Sequence, residues 1–145
     1  MTSIWKIFKS ASASRRDRSR FPPPTSSFAA AFDRQPFHLD EPAAKTTLFK
    51  GLVASGWHTA ALTMRMLAEG GLPLATGVIG AGGEISWPRP VRPGDELRVE
   101  SEVLAIAPSR SKPGQAVVTV RSTTTNQNGE AVQVLTAKLF SFARP

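Results

Sequence analysis

The sequence predicts an α+β fold in which an antiparallel sheet wraps around one long central helix. Two observations carry this. From Ser55 to Ala68 the apolar residues recur at helical spacing, and from residue 83 onward they alternate with polar ones at strand spacing. Strands that follow one another directly pair as antiparallel hairpins, so a helix followed by a run of strands belongs to the α+β class. At 145 residues, 41% apolar and 20% charged, the chain holds enough material for a single core. No apolar run reaches the ~20 residues of a bilayer span, so no membrane partner is expected.

Residues 1–27 read as a basic Ser/Arg/Pro-rich tail, expected to be disordered, and residues 28–145 as the folded domain. Six Lys and Arg stand against Asp17 alone in the tail, which places +5 of the formal +7 charge there. The other 118 residues carry 12 basic and 10 acidic groups, so a basic groove on the domain, and with it a nucleic-acid partner, is not expected. The tail composition fits a transit peptide or a basic arm, and equally an N-terminus without function or a misassigned start. Location is expected to be cytoplasmic, with organellar targeting by the tail as the alternative. Pro22 to Pro24 stop any regular element from running through.

After the prolines, Ser26 or Ser27 caps a short helix with Phe28 and Phe32 at i and i+4. Asp40 is the expected N-cap of a second short helix through Glu41, Pro42, Ala43 and Ala44, stopped by Gly51. The central helix has Ser55 as its N-cap and Trp57, Ala60, Ala61, Met64, Leu67 and Ala68 as its stripe, ending at Gly70-Gly71 and Pro73. Leu62 and Met66 widen that stripe, which predicts a nearly enclosed helix. Gly56 at its first position costs stability relative to Ala. Either something needs close access to the backbone there or a neighbouring segment packs tightly against it.

Four strands are expected. The first is Glu84 to Trp87, and Pro93-Gly94-Asp95 turns into the second at Leu97, Val99, Ser101 and Val103. The third runs through Ala116, Val118 and Val120. Asn128-Gly129 then makes a hairpin into the fourth, through Val132, Val134, Thr136, Lys138, Phe140 and Phe142. Gly77, Gly80, Gly82 and Gly83 do not lie between a strand and a helix start, so no dinucleotide-binding loop is read from them.

The chemistry concentrates at Phe32-Asp33-Arg34-Gln35-Pro36-Phe37-His38-Leu39-Asp40. Asp33 and His38 are five apart, about 140° around a helix and on opposite faces of a strand, so only a sharp turn brings them together. Pro36 supplies one by fixing its own φ and extending Gln35. A converging carboxylate and imidazole make a general acid and base near neutral pH if the cavity tunes the aspartate upward. The bland alternative has Asp33 capping the turn and His38 in a satisfied hydrogen bond. With no cysteine the chain has no disulfide, thiolate nucleophile or Cys-based zinc site, and His38 and His58 leave little for a metal centre.

The motif Asp33 to Asp40, then Gly51-Leu52-Val53-Ala54-Ser55-Gly56 and Pro90-Val91-Arg92-Pro93-Gly94-Asp95, resembles the MaoC-like dehydratases, which include the (R)-specific enoyl-CoA hydratases. The match covers residues 28–142, with Asp33, Pro36 and His38 meeting the hydratase motif. The resemblance implies a hot-dog fold, with a CoA thioester as substrate rather than a resident cofactor, bound where two hot-dog units of a homodimer or heterodimer meet. It implies a lyase of fatty acid metabolism with Asp33 and His38 catalytic. The Gly56 amide would polarise the thioester carbonyl, and Pro36 and Ser55 would support the motif. A hot-dog thioesterase is the alternative within enzymes, and a non-catalytic acyl-CoA-binding or partner subunit the alternative outside them. Two departures stand: the family's first strand is missing or replaced by the tail, and Met64 occupies the place of a helix serine found in some family hydratases. His58 is read as structural or lining. Arg89, Arg92 and Lys112 are equally CoA contacts or solvated charges.

Overall fold

The computed structural model describes residues 27–71 and 77–142. The expected disordered tail lies outside that range except for Ser27, which opens the first helix; the replaced first strand and Pro73 lie outside it.

Three short helices open the described chain: α1 (Ser27–Phe32), α2 (Pro36–Leu39) and α3 (Glu41–Ala44). In α1 the expected Phe28–Phe32 pair forms, with ring centroids 5.2 Å apart. Asp40 caps α3 as expected, accepting from the Ala43 N–H at 3.4 Å. That helix ends at Ala44, well before Gly51; Thr46 and Thr47 turn their hydroxyls back onto the Ala43 and Ala44 carbonyls and close it off.

The central helix α4 spans Gly56–Met66 and continues as a π-helical turn over Leu67–Gly71. It is not enclosed. Thr59, Thr63 and Met66 are buried, whereas Trp57 is 60% and Met64 44% exposed. The expected stripe is therefore split: Trp57 and Met64 face outward, whereas Leu67 and Met66 are buried. Threonine occupies the inner face because its hydroxyl finds partners: Thr63 Oγ1 lies 2.7 Å from Thr124 Oγ1, and Thr59 Oγ1 donates to the Ser55 carbonyl at 3.5 Å.

Four antiparallel strands, β1 (Ile79–Ser86), β2 (Arg98–Pro108), β3 (Gln115–Thr125) and β4 (Ala131–Phe142), pair in the order β1-β4-β3-β2. All four run longer than the alternation alone indicated, and β1 begins inside the glycine-rich segment. Gly83 explains that: a Cβ there would sit 2.5 Å from the Thr136 carbonyl oxygen and 2.9 Å from Ala137 Cα, so only glycine allows β1 this close to β4. Arg92 to Asp95 form the expected turn, with Gly94 at φ +86° and the Asp95 N–H bonded to the Arg92 carbonyl at 3.1 Å. The Asn128-Gly129 hairpin forms, and the Asn126 side chain accepts the N–H groups of Asn128 and Glu130 at 3.0 and 3.1 Å.

Buried residues on the inner face are Val99 and Ser101 of β2, Val118, Val120, Ser122 and Thr124 of β3, and Gln133, Leu139 and Ser141 of β4. In β4 that is the set alternate to the one through Val132 and Phe140. Val132 is nevertheless buried too, because Thr124 pairs with Gln133 and Thr125 with Ala131, leaving Val132 as the extra residue of a bulge. A bulge re-aims its side chain. The core beneath α4 gathers Met66, Leu67, Val91, Leu97, Val99 and Val132, and a second cluster forms around Val118, Val120 and Leu139. By the usual ~25 cal/mol per Å² of apolar surface, each such side chain contributes about 1.5–3 kcal/mol when fully buried.

Candidate active site

Asp33 leaves the end of α1, where its N–H still bonds to the Ala29 carbonyl at 2.9 Å. Gln35 is extended (φ −101°, ψ 146°) and Pro36 is the first residue of α2, so the chain reverses between Asp33 and His38 as the proline requires. The segment Val53–Ala54 then fixes the height of the turn. Its Val53 N–H bonds to the Phe37 carbonyl at 3.0 Å, and its Ala54 N–H to the Val91 carbonyl at 2.9 Å.

The two side chains meet: His38 Nε2 lies 3.2 Å from Asp33 Oδ2. His38 is buried, and its Nδ1 lies 2.8 Å from the Val53 carbonyl oxygen. A carbonyl only accepts, so Nδ1 carries a hydrogen and Nε2 is the nitrogen that exchanges a proton. Asp33 Oδ2 also accepts from the Ser55 hydroxyl at 2.6 Å, and Oδ1 from the Gln35 amide at 2.6 Å.

These contacts reverse the expected tuning of the aspartate. The Ser55 hydrogen bond, and after it that of Gln35, hold the Asp33 carboxyl below its usual range, outweighing burial and aided by the His38 charge. Asp33 is thus an anion at neutral pH. Ser55 precedes α4 as expected, but its oxygen accepts from no helix amide; the hydroxyl is turned toward Asp33, to which it donates a charge-assisted hydrogen bond. The first amides of α4, Gly56 among them, are left without a side-chain cap at the positive end of the helix.

Asp33, His38 and Gly56 line one open cavity of about 610 Å³, whose walls include Phe37, Phe49, Trp57, Trp87 and the bulge residue Val132. Phe37 and Phe49 meet at a tilt, 5.3 Å between centroids, and Trp57 meets Trp87 edge-on at 5.4 Å. Arg89 and Arg92 also line it; Arg92 donates to the Phe49 carbonyl at 2.7 Å, and Arg89 pairs with Glu130 at 3.2 Å. Pro36 serves the turn without lining the cavity. His58 is structural: its ring stacks on Phe28 at 4.8 Å and 14°, which seats α1 on α4, and burial lowers its pKa. Met64 instead lines a groove of about 420 Å³ between α4 and the inner faces of β1 and β4.

Gly56 has a packing reason to be glycine. A Cβ there would stand 2.7, 2.8 and 2.9 Å from Cε2, Cδ2 and Cζ2 of Trp87, so the indole lies directly on the helix start. Trp87, expected only as a strand end, is joined by Gln133, which is fully buried and accepts the indole N–H at 3.0 Å. The alternation through Val132 and Phe140 puts Gln133 on the outward phase, so no local signal marked it. Gln35 was also left without a role.

Comparison with known proteins agrees with this architecture. The MaoC like domain matches residues 10–128. A MaoC-like dehydratase from Rhodospirillum rubrum is 60% identical, with a TM-score of 0.83 over 92% of this chain and 90% of its own. The R-hydratase PhaJ1 from Pseudomonas aeruginosa is 31% identical, with a TM-score of 0.72 over 92% of this chain and 83% of its own. The uncharacterized protein YdeM of Bacillus subtilis (strain 168) is 35% identical over 130 residues, covering 86% of this chain and 84% of that protein. The α+β sheet-around-helix architecture is the hot-dog fold of these neighbours, and the chain belongs to the MaoC-like dehydratase family.

Proposed function

We propose that the protein is a hydratase or dehydratase that adds water to a 2-enoyl-CoA thioester, or removes it from a 3-hydroxyacyl-CoA, using Asp33 and His38 and no cofactor. The observation that carries this reading is the 3.2 Å contact between an anionic carboxylate and the one free nitrogen of an imidazole. Likeness to an R-hydratase over most of both chains supports it.

The reaction needs oxygen delivered to C3, a proton delivered to C2, and a donor for the charge that builds on the thioester oxygen. A water held between the Asp33 carboxylate and His38 Nε2 gives its proton to Nε2 as its oxygen bonds to C3. Asp33 stabilises the resulting imidazolium, which returns the proton to C2, so both groups end as they began. The Gly56 N–H, uncapped at the start of α4, holds the thioester oxygen. The aromatic cavity walls accept the acyl portion and limit access of bulk water.

We also infer that a second hot-dog subunit, this chain or a relative, covers α4. The support is the outward apolar side of that helix, with Trp57 and Met64 exposed, beside β1, which pairs on one side only among the described residues.

The test is loss of the conjugated thioester absorbance when purified protein meets 2-enoyl-CoA substrates of several chain lengths. Asp33→Asn and His38→Ala are each expected to lower kcat by about 10²–10⁴-fold. Silence at every chain length, or full activity in the double variant, overturns the proposal. Release of free CoA thiol identifies a thioesterase instead.

A further inference from the structure

We infer that Gln133 and Trp87 are positioning residues that hold the Gly56 amide in its working place; the inference rests on the hydratase reading of the same site. Trp87 follows β1 and is 39% exposed, so an indole there has room to swing. It does not, because two contacts fix it. Its face bears on Gly56 at distances that leave no room for a Cβ, and its N–H is held at 3.0 Å by Gln133 Oε1.

Gln133 is costly in this place. It is 0% exposed on the inner face of β4, and its Nε2 finds no acceptor among the described residues. A buried amide with one unpaired arm lowers stability, and an aliphatic side chain of similar size would avoid that loss. The indole N–H also dictates the amide's orientation: only the oxygen can face a donor, so the nitrogen must point inward. A glutamine kept at this expense contributes something other than stability. The contact it makes runs through one ring to the first residue of α4, which lines the cavity with Asp33 and His38. The ring also covers one side of that residue, and an amide screened from water acts more strongly on a developing oxyanion. Small displacements of such a donor carry large kinetic penalties.

The experiment pairs Gln133→Met with Trp87→Phe, which keeps an aromatic ring and deletes the N–H. Each is expected to lower kcat on the order of tenfold with KM within about twofold. The double variant should fall no further than the singles, as for two links of one chain. Gln133→Met should also unfold at the same or a higher denaturant concentration, which a structural role would not produce. Independently of turnover, the Gly56 α-proton resonances of the wild type should lie upfield under the indole face and relax in Gln133→Met. Unchanged kcat and unchanged Gly56 resonances in a folded Gln133→Met protein overturn the inference. Wild-type inactivity on every thioester overturns the hydratase reading instead, and the Gly56 resonances then still decide whether Gln133 seats the ring.

Discussion

Gly56→Ala tests the seat of the indole by stability alone. The added Cβ would meet three ring carbons of Trp87 at 2.7–2.9 Å. Carbon contacts settle at about 3.5–4.0 Å, so the ring must retreat by roughly 1 Å. A shift of that size lengthens the 3.0 Å bond to Gln133 beyond useful range and leaves that buried amide unpaired at both ends. Overpacking costs about 1–3 kcal/mol and the unpaired amide about 1–3 kcal/mol, partly in the same movement. Alanine returns about 0.5–1 kcal/mol through lower chain entropy in the unfolded state and better helix propensity. The expected net loss is about 1–4 kcal/mol. Urea unfolding at fixed protein concentration, followed by tryptophan fluorescence, should show a lower midpoint with unchanged slope. Gly51→Ala is the control: its Cβ would meet nothing nearer than the flexible Arg92 Nη1 at 3.4 Å, and it should be close to neutral. A Gly56→Ala midpoint equal to or above wild type refutes the argument.

Ser55→Ala removes the largest contribution holding the Asp33 carboxyl low, so that carboxyl should rise toward its ordinary value. A group with a depressed folded pKa stabilises the fold above its unfolded pKa and loses that stabilisation as pH falls through the folded one. Wild type should therefore exceed Ser55→Ala at neutral pH by about 1.5–3 kcal/mol, the range for a hydrogen bond to a charged group, with the gap narrowing in acid. A pH-independent stability gap counts against the assignment. Met64→Glu places a charge on the outward side of α4 and should shift light-scattering mass toward the monomer at micromolar concentration while leaving the monomer folded. An unchanged mass places the subunit contact elsewhere.

The fold was legible where one residue type decides one local shape. Pro36 sets the Asp33–His38 reversal, Pro93-Gly94 sets the turn before β2, and Asn128-Gly129 sets the hairpin before β4. Strand lengths were not legible, because β1 starts among glycines that read as loop, and only the approach of the β4 backbone makes Gly83 a strand residue. The helix face failed for a related reason. Hydrophobic periodicity assumes that the apolar side packs inward, and α4 turns Thr63 inward because β3 offers Thr124 as a partner. That hydroxyl pair lies 61 residues apart in sequence, beyond the reach of any local pattern.

The same argument explains what could be read of the site. Asp33 and His38 stood out because a carboxylate, a proline and an imidazole within six residues constrain one another. Their tuning did not, because it depends on Ser55, 22 residues on, whose hydroxyl leaves the helix it precedes and bonds to the carboxylate. That single choice does two things. It keeps Asp33 ionised beside His38, and it leaves the first amides of α4 without the cap that a serine there usually supplies. A serine turned away from Asp33 would have left the carboxyl nearer its ordinary value. The site thus gains a more firmly held anion from this hydroxyl, and the stability forgone at the helix start is the cost.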